Sequence, residues 1–199
     1  MRARELTLAS LMSIVTGLSA QLCIYIGPIP YTLQNFGVVL SGLLLTPKYA
    51  MLAQSIYLWL IAVGAPLGAG FKGGVNVFLG PTAGYLMAFP IAAYLTSIFS
   101  RPLLKEGNRI KAWLVCTLTT SVIYILGITW LYFWLERFNG DIMMWMYKVA
   151  SLVGVPNGNK LTIILLAGGL IFIPQDVLVD HVLAILVAYY VLRMELRVK

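Results

Sequence analysis

Apolar residues run through this chain in long stretches, and the short connections between them carry most of its charge. A helix crosses the hydrocarbon layer of a bilayer in about 20 residues, fewer when other helices surround it. On that measure helices are expected at residues 6–26, 33–46, 49–65, 82–100, 112–137 and 177–193. The pattern describes an all-α integral membrane protein with six transmembrane helices in a single membrane domain, residues 1–199. The second span is short and interrupted by Gly37 and Gly42, so it is expected to pack closely against neighbours rather than face lipid alone. Segment 161–172, LTIILLAGGLIF, is apolar but too short to cross, and Pro174 stops it; a half-helix dipping in from one side fits. The first apolar run, Leu6 to Gly27, exceeds the roughly 7–15 residues of a signal-peptide core and lacks a small-x-small cleavage site, so it reads as a retained helix.

Composition agrees. Of 199 residues 60% are apolar and 11% charged, with a mean hydropathy of +0.89, against roughly 25% charged in soluble domains. So few charges cannot coat a globule in water, and the hydrophobicity excludes disorder. The net charge of +7 comes from basic residues scattered between apolar stretches instead of one patch, which argues against nucleic acid as a partner. Cys23 and Cys116 stand alone in apolar stretches, so neither a disulfide framework nor a metal site is expected. No nucleophile triad, HExxH or P-loop pattern occurs. His181, the single histidine, follows Asp180 at the start of the last helix and reads as a satisfied, partly buried imidazole.

Lys and Arg in the connections set the orientation. With the N-terminus inside, Arg2, Arg4, Lys48, Arg101, Lys105, Arg109, Lys111, Arg193, Arg197 and Lys199 fall on one side, and Lys72, Arg137, Lys148 and Lys160 on the other. Both termini are therefore expected in the cytoplasm, with the protein in the inner (plasma) membrane. The outer connections then hold the unusual segments: GPIPYTLQN at 27–35, with two prolines, and the Gly-rich outer loop GAPLGAGFKGGVNVFLGPTAGY at 64–85. Apolar, irregular backbone of that kind survives at membrane depth only when buried in protein or lining a cavity, which points to a binding site near the outer face. Asp176 and Asp180, spaced i, i+4 at the outer start of the last span, share a helix face. Asp176 after Pro174 also fits an N-cap, and Lys72, the one charge in its loop, also fits a solvated lysine.

Three separated segments in order, GPIPYTLQNFGVVLSGLLLTPKYA, GAPLGAGFKGGVNVFLGPTAGYL and IFIPQD before a final helix with a basic end, carry a resemblance to a known family. The chain resembles the BioY family, the biotin-specific substrate-binding components of energy-coupling factor (ECF) transporters, from about residue 7 to 193. Residues 139–160 look like an enlargement of the last outer loop. The resemblance implies six helices around an outward-facing pocket closed by the loop after the first helix. It implies biotin as ligand, a transmembrane coupling subunit and separate ATPase subunits as partners, no cofactor, and no enzymatic activity.

Carried onto this sequence, the resemblance places the ligand against Thr32, Gln34, Asn76, Tyr85, Asp176 and Asp180, with Asp176 accepting from the ureido N–H groups. The small face Ala9, Ser13 and Gly17 would dock the coupling subunit, unless it serves a contact within the bundle. Three positions depart from the family's pattern. Val179 stands where a lysine is usual, Lys72 where many members have a small polar residue, and Leu86 where some have a basic one. One cation has thus moved from the last helix to the Gly-rich loop, where Lys72 is expected to take the biotin carboxylate. The departures keep open a related vitamin-like ligand. A membrane enzyme would have to use Asp176, Asp180 and His181, which are few convergent polar groups for catalysis. A freestanding secondary transporter would usually show inverted repeats and midplane charges, and neither is visible.

Overall fold

The computed structural model describes residues 3–25, 27–138 and 140–197, without the side chains of 195–197. The expected end of the first span at residue 26, the start of the 139–160 stretch, and the charges of Arg2, Arg197 and Lys199 lie outside the described residues.

Helix α1 spans Ala3–Gln21 and gives way to a two-residue antiparallel ribbon, β1 (Cys23–Ile24) with β2 (Tyr31–Thr32), pairing Cys23 with Thr32 and Ile24 with Tyr31. The first helix is therefore shorter than expected. Its extension beyond Gln21 is lost because Leu22 and Cys23 turn into the ribbon that brings the chain back to α2 (Gln34–Leu44). Helix α3 (Pro47–Ala62) starts on Pro47, whose missing N–H costs nothing in a first turn. The Gly-rich loop contains a single 3-10 turn, Val75–Leu79. Helix α4 runs Ala83–Lys105, past Pro90 and Pro102, and a Gly107 turn leads to α5, Arg109–Arg137, capped by the Asn108 side chain accepting from the Lys111 N–H at 3.3 Å.

Two expectations for the last third need correction. Residues 139–160 are not merely an enlarged loop, because Asp141–Leu152 form an amphipathic helix, α6, that buries Met143, Met146 and Ala150. Segment 161–172 is not an isolated half-helix either. Asn159 caps α7 (Lys160–Leu165), which continues as a π turn (Leu166–Leu170), turns at Ile171 and Phe172, and resumes as α8 (Ile173–Gln175), a second π turn (Asp176–Asp180) and α9 (His181–Arg197). Pro174 opens the second half instead of ending the first, as suits a residue tolerated in a first helical turn.

Helices α4, α5 and the stretch Lys160–Met194 are long and apolar enough to cross a membrane. α1 has 19 residues, α2 only 11 and α3 16. At 1.5 Å per residue α2 rises about 16 Å, half a hydrocarbon layer. It lies among α1, α3, α4 and α9, and its glycines permit this: a Cβ on Gly37 would stand 2.6 Å from Thr16 of α1, and one on Gly42 2.6 Å from Thr96 of α4.

Where α1, α2 and α3 meet, Gln54 Nε2 donates to Thr16 Oγ1 (3.1 Å) and Ser41 Oγ (2.8 Å), a buried polar tie within an otherwise apolar core. Outward, Leu114, Leu118, Ile125, Trp130 and Phe133 of α5 stay exposed, a surface that hydrocarbon rather than water would cover. The small face of α1 points the other way. Ala9, Ser13 and Gly17 are all buried, and Leu67 fills the space beside Gly17. Within this chain these three residues make contacts inside the bundle, the alternative that their spacing also allowed.

Candidate functional site

At the end of the bundle that carries the Gly-rich loop lies a cavity of about 430 Å³. Its apolar walls come from Leu86 and Phe89 of α4, Ile123 of α5, Phe172, and Pro28, Ile29 and Pro30 of the loop after α1. That size and lining suit a small ligand with a largely apolar body.

The polar end is assembled from three elements. Asp176, 6% exposed, accepts at Oδ2 from Asn35 Nδ2 at 2.5 Å and from the Tyr124 hydroxyl, so α2 and α5 both aim a donor at one oxygen. Both of these donors fall on the same oxygen, Oδ2. Asn35 Oδ1 is buried without a partner. An acceptor buried without a partner is costly, so Asn35, which lines the cavity beside Asp176, leaves a hydrogen bond for a ligand N–H to make. Neighbouring Gln175 donates to the Thr32 carbonyl at 2.7 Å and ties the β ribbon to α8.

Asp176 is not the N-cap that the sequence allowed. Its own N–H is already bonded to the Phe172 carbonyl (3.2 Å), because the helix begins upstream. It sits in a π turn, an irregularity that displaces a side chain from its regular helical direction and recurs at functional positions. Asp180, fully buried, stands behind the cavity wall. Its Oδ2 accepts the Phe36 N–H at 3.2 Å, so a carboxylate of the last helix caps the first turn of α2, which has no cap of its own. The second aspartate thereby fixes the helix that carries Asn35.

The remaining sequence-derived residues divide by role. Thr32, Gln34, Asn76, Tyr85 and Lys72 all line the cavity. Gln34 is occupied with positioning: Nε2 donates to the Tyr57 hydroxyl (2.6 Å), Oε1 accepts from the Thr32 hydroxyl (3.0 Å), and Tyr57 donates its own proton to the Leu67 carbonyl (3.1 Å). Tyr85 donates to the Gly168 carbonyl at 2.6 Å and meets Tyr124 edge-on, with ring centroids 6.4 Å apart. Its ring lies flat on α5 because Gly127 offers no Cβ there.

Asn76 and Lys72 are exposed at the mouth, and Lys72 Nζ stands 5.7 Å from the Tyr25 ring centroid. Val179 is 41% exposed and is not part of the cavity wall. His181 is held between Thr117 (3.2 Å from Nδ1) and Thr120 (3.3 Å from Nε2), also away from the wall. Asp176, Asp180 and His181 therefore do not converge on one reacting centre, and among the described residues no cluster of metal-ligating side chains occurs.

The Gly-rich loop is clamped at both ends. Gln21 of α1 donates to the Gly68 carbonyl (3.1 Å) and accepts the Phe71 N–H (2.9 Å), which steadies a residue whose φ of 58° is left-handed without being glycine. The indoles of Trp130 and Trp134 on α5 donate to the carbonyls of Gly80 (2.9 Å) and Leu79 (2.8 Å).

Sequence reasoning missed Asn35, Tyr124 and Gln175. Asn35 and Gln175 adjoin residues that it singled out, and a side chain next to a chosen one belongs to a different face until the backbone is known. Tyr124 offered one signal, a hydroxyl midway along an otherwise apolar helix, which needs a partner where water is absent.

Comparison with known proteins places this architecture. The chain is 41% identical, over 155 residues covering 78% of it and 85% of the relative, to a protein of Pyrococcus horikoshii named as a probable biotin transporter. It is 29% identical over 94% of its length, and 92% of the relative's, to the biotin transporter of Rhizobium etli. Its fold matches a crystal structure of the S-component for biotin from an ECF-type ABC transporter, with a TM-score of 0.73 and 25% identity over 96% of this chain and 94% of that one. The model of the BioY family matches residues 1–197. This helical, multi-pass membrane chain belongs to the BioY family.

Proposed function

We propose that this protein is the biotin-binding component of a vitamin uptake transporter. One observation carries the reading: a ligand-sized apolar cavity is lined at one end by Asp176, whose carboxylate takes donors from α2 and α5, and by Asn35, whose Oδ1 is buried without a partner. A cyclic urea brings two N–H donors on one edge, which matches that pair. The thioether-containing ring would lie between Phe89, Leu86 and Phe172, and the valerate chain would run toward the mouth, where Lys72 meets its carboxylate.

The relatives bearing the name biotin transporter, and the solved S-component, support the same ligand. In this reading the chain crosses the membrane six times, the Gly-rich end faces outward, and both termini face the cytoplasm, as the distribution of Lys and Arg favours. With no nucleotide-binding motif in the chain, energy for release comes from ATPase subunits through a transmembrane coupling subunit.

Uptake of labelled biotin by cells that lack any biotin carrier of their own tests this. Cells expressing the chain with coupling and ATPase subunits should accumulate label, and Asp176→Asn should abolish most of it. Equal accumulation with and without the chain would contradict the function.

A further inference from the structure

The segment 27–30 separates the cavity from α6. On one side Pro28, Ile29 and Pro30 line the cavity. On the other, a Cβ built on Gly27 would sit inside the Trp145 indole, and Ile29, 6% exposed, belongs to a cluster with Met143 and Met146 of α6, Leu131 and Leu135 of α5, and Ile163 and Ile164 of α7. The β ribbon holds the chain on either side of this stretch, and side chains hold the stretch itself. Pro28 and Pro30 have no N–H, and among the described residues no backbone hydrogen bond reaches 27–30. The position of this cover over the cavity is therefore set by side-chain packing, and its Gly27 end rests on a helix that contributes nothing to the cavity wall.

We propose that α6 is the latch of the cavity, with Trp145 as the positioning residue that seats Gly27 and Met143 and Met146 as the socket for Ile29. Opening the cavity means lifting 27–30 off α6, so the latch sets how fast a bound molecule leaves. It leaves the contacts between ligand and Asp176 unchanged. The proposal rests on the biotin reading only for the identity of that molecule.

Two measurements on the full-length protein test it. Without ligand, Ile29→Cys in a Cys23→Ala background should react slowly with a maleimide. Adding Trp145→Ala should speed labelling about 10-fold, as expected when a buried site depends on a local opening equilibrium. With labelled biotin, Trp145→Ala should raise the dissociation rate about 10-fold and change association less than about threefold, since altered retention acts chiefly through off-rates.

Trp145→Phe should fall between. Gly27→Ala, which leaves α6 intact, should speed labelling and dissociation by intruding on the indole, and should add little in the Trp145→Ala background. Unchanged labelling in both Trp145→Ala and Gly27→Ala, or off-rates and on-rates that shift together, would overturn the latch. A wild-type protein that binds no biotin would overturn the biotin reading, and the labelling arm would still decide the latch.

Discussion

Replacing Asp176 by asparagine removes the charge at the polar end while keeping the size of the side chain. In the native arrangement Oδ2 takes two donors, from Asn35 and Tyr124, and Asp176 lines the cavity, which in the proposed binding mode leaves Oδ1 for the ligand. An asparagine has one oxygen and one NH2 to replace two oxygens. If its oxygen stays with Asn35 and Tyr124, its NH2 points at the ligand and opposes the ureido N–H. If it flips, it faces those two protein donors with a donor of its own.

Either way one buried group loses its partner, at about 1–3 kcal/mol, and the ligand exchanges a charge-assisted bond for none, about 1.5–3 kcal/mol. Overlap between the two terms keeps the sum below their total, so a loss of about 2–4 kcal/mol is expected, roughly 30- to 700-fold in Kd at 1.4 kcal/mol per decade. Isothermal titration of wild type and Asp176→Asn with biotin reads this directly. Tyr124→Phe serves as a partial version, because it strips one donor from Oδ2 and leaves the charge; it should weaken biotin by about 1 kcal/mol. An unaltered biotin affinity in a folded Asp176→Asn protein would refute the reasoning and leave Asp176 a structural residue.

Lys72 is exposed, so its pairing with a carboxylate is worth only about 0.5–1 kcal/mol; Lys72→Ala should weaken biotin roughly 2- to 5-fold and biotin amide less, both by titration at low salt, and equal losses would place the side chain on the rings. Asp180→Asn should lower thermal stability by about 1–2 kcal/mol through the cap of α2, with a smaller effect on Kd than Asp176→Asn, as a melting curve beside a titration would show. Gln54→Leu should destabilise by about 1–3 kcal/mol, since Thr16 and Ser41 lose their shared donor, while leaving biotin affinity near wild type. Ser13→Leu forces a larger side chain into a site only 1% exposed, so the isolated protein itself should melt earlier, by about 1–3 kcal/mol of stability; an unchanged melt would return that face to the outside.

The apolar spacing was enough to find the long apolar helices α4 and α5 and the last stretch, because a membrane span is a bulk property of some twenty side chains. It misplaced helix ends where short-range chemistry decides them: Leu22 and Cys23 enter the β ribbon, and Pro174 opens a helix instead of closing one. The site was partly legible. An aspartate beside a proline and a Gly-rich apolar loop stand out in any membrane sequence, and both reach the cavity.

The partners of Asp176 were hidden because Asn35 and Tyr124 stand on α2 and α5, and no count along one helix shows which side chains of two others meet it. The π turn at Asp176–Asp180 departs from a 3.6-residue count, and there Asp176 meets Asn35 and Tyr124 while Asp180 takes the Phe36 N–H. The inward turn of Ala9, Ser13 and Gly17 was open from sequence, since small residues suit a close contact inside a bundle as well as outside it.

The most direct test of the account is a calorimetric titration of the purified wild-type protein with biotin, followed by dethiobiotin and then by vitamins that lack a cyclic urea. Biotin should saturate at one per chain. Dethiobiotin, which keeps the urea and the carboxylate but not the thioether ring, should compete more weakly, and the urea-free vitamins not at all. Absence of biotin heat together with no displacement by biotin of any bound ligand, or equal binding of a vitamin without N–H donors to offer Asp176 and Asn35, would contradict it.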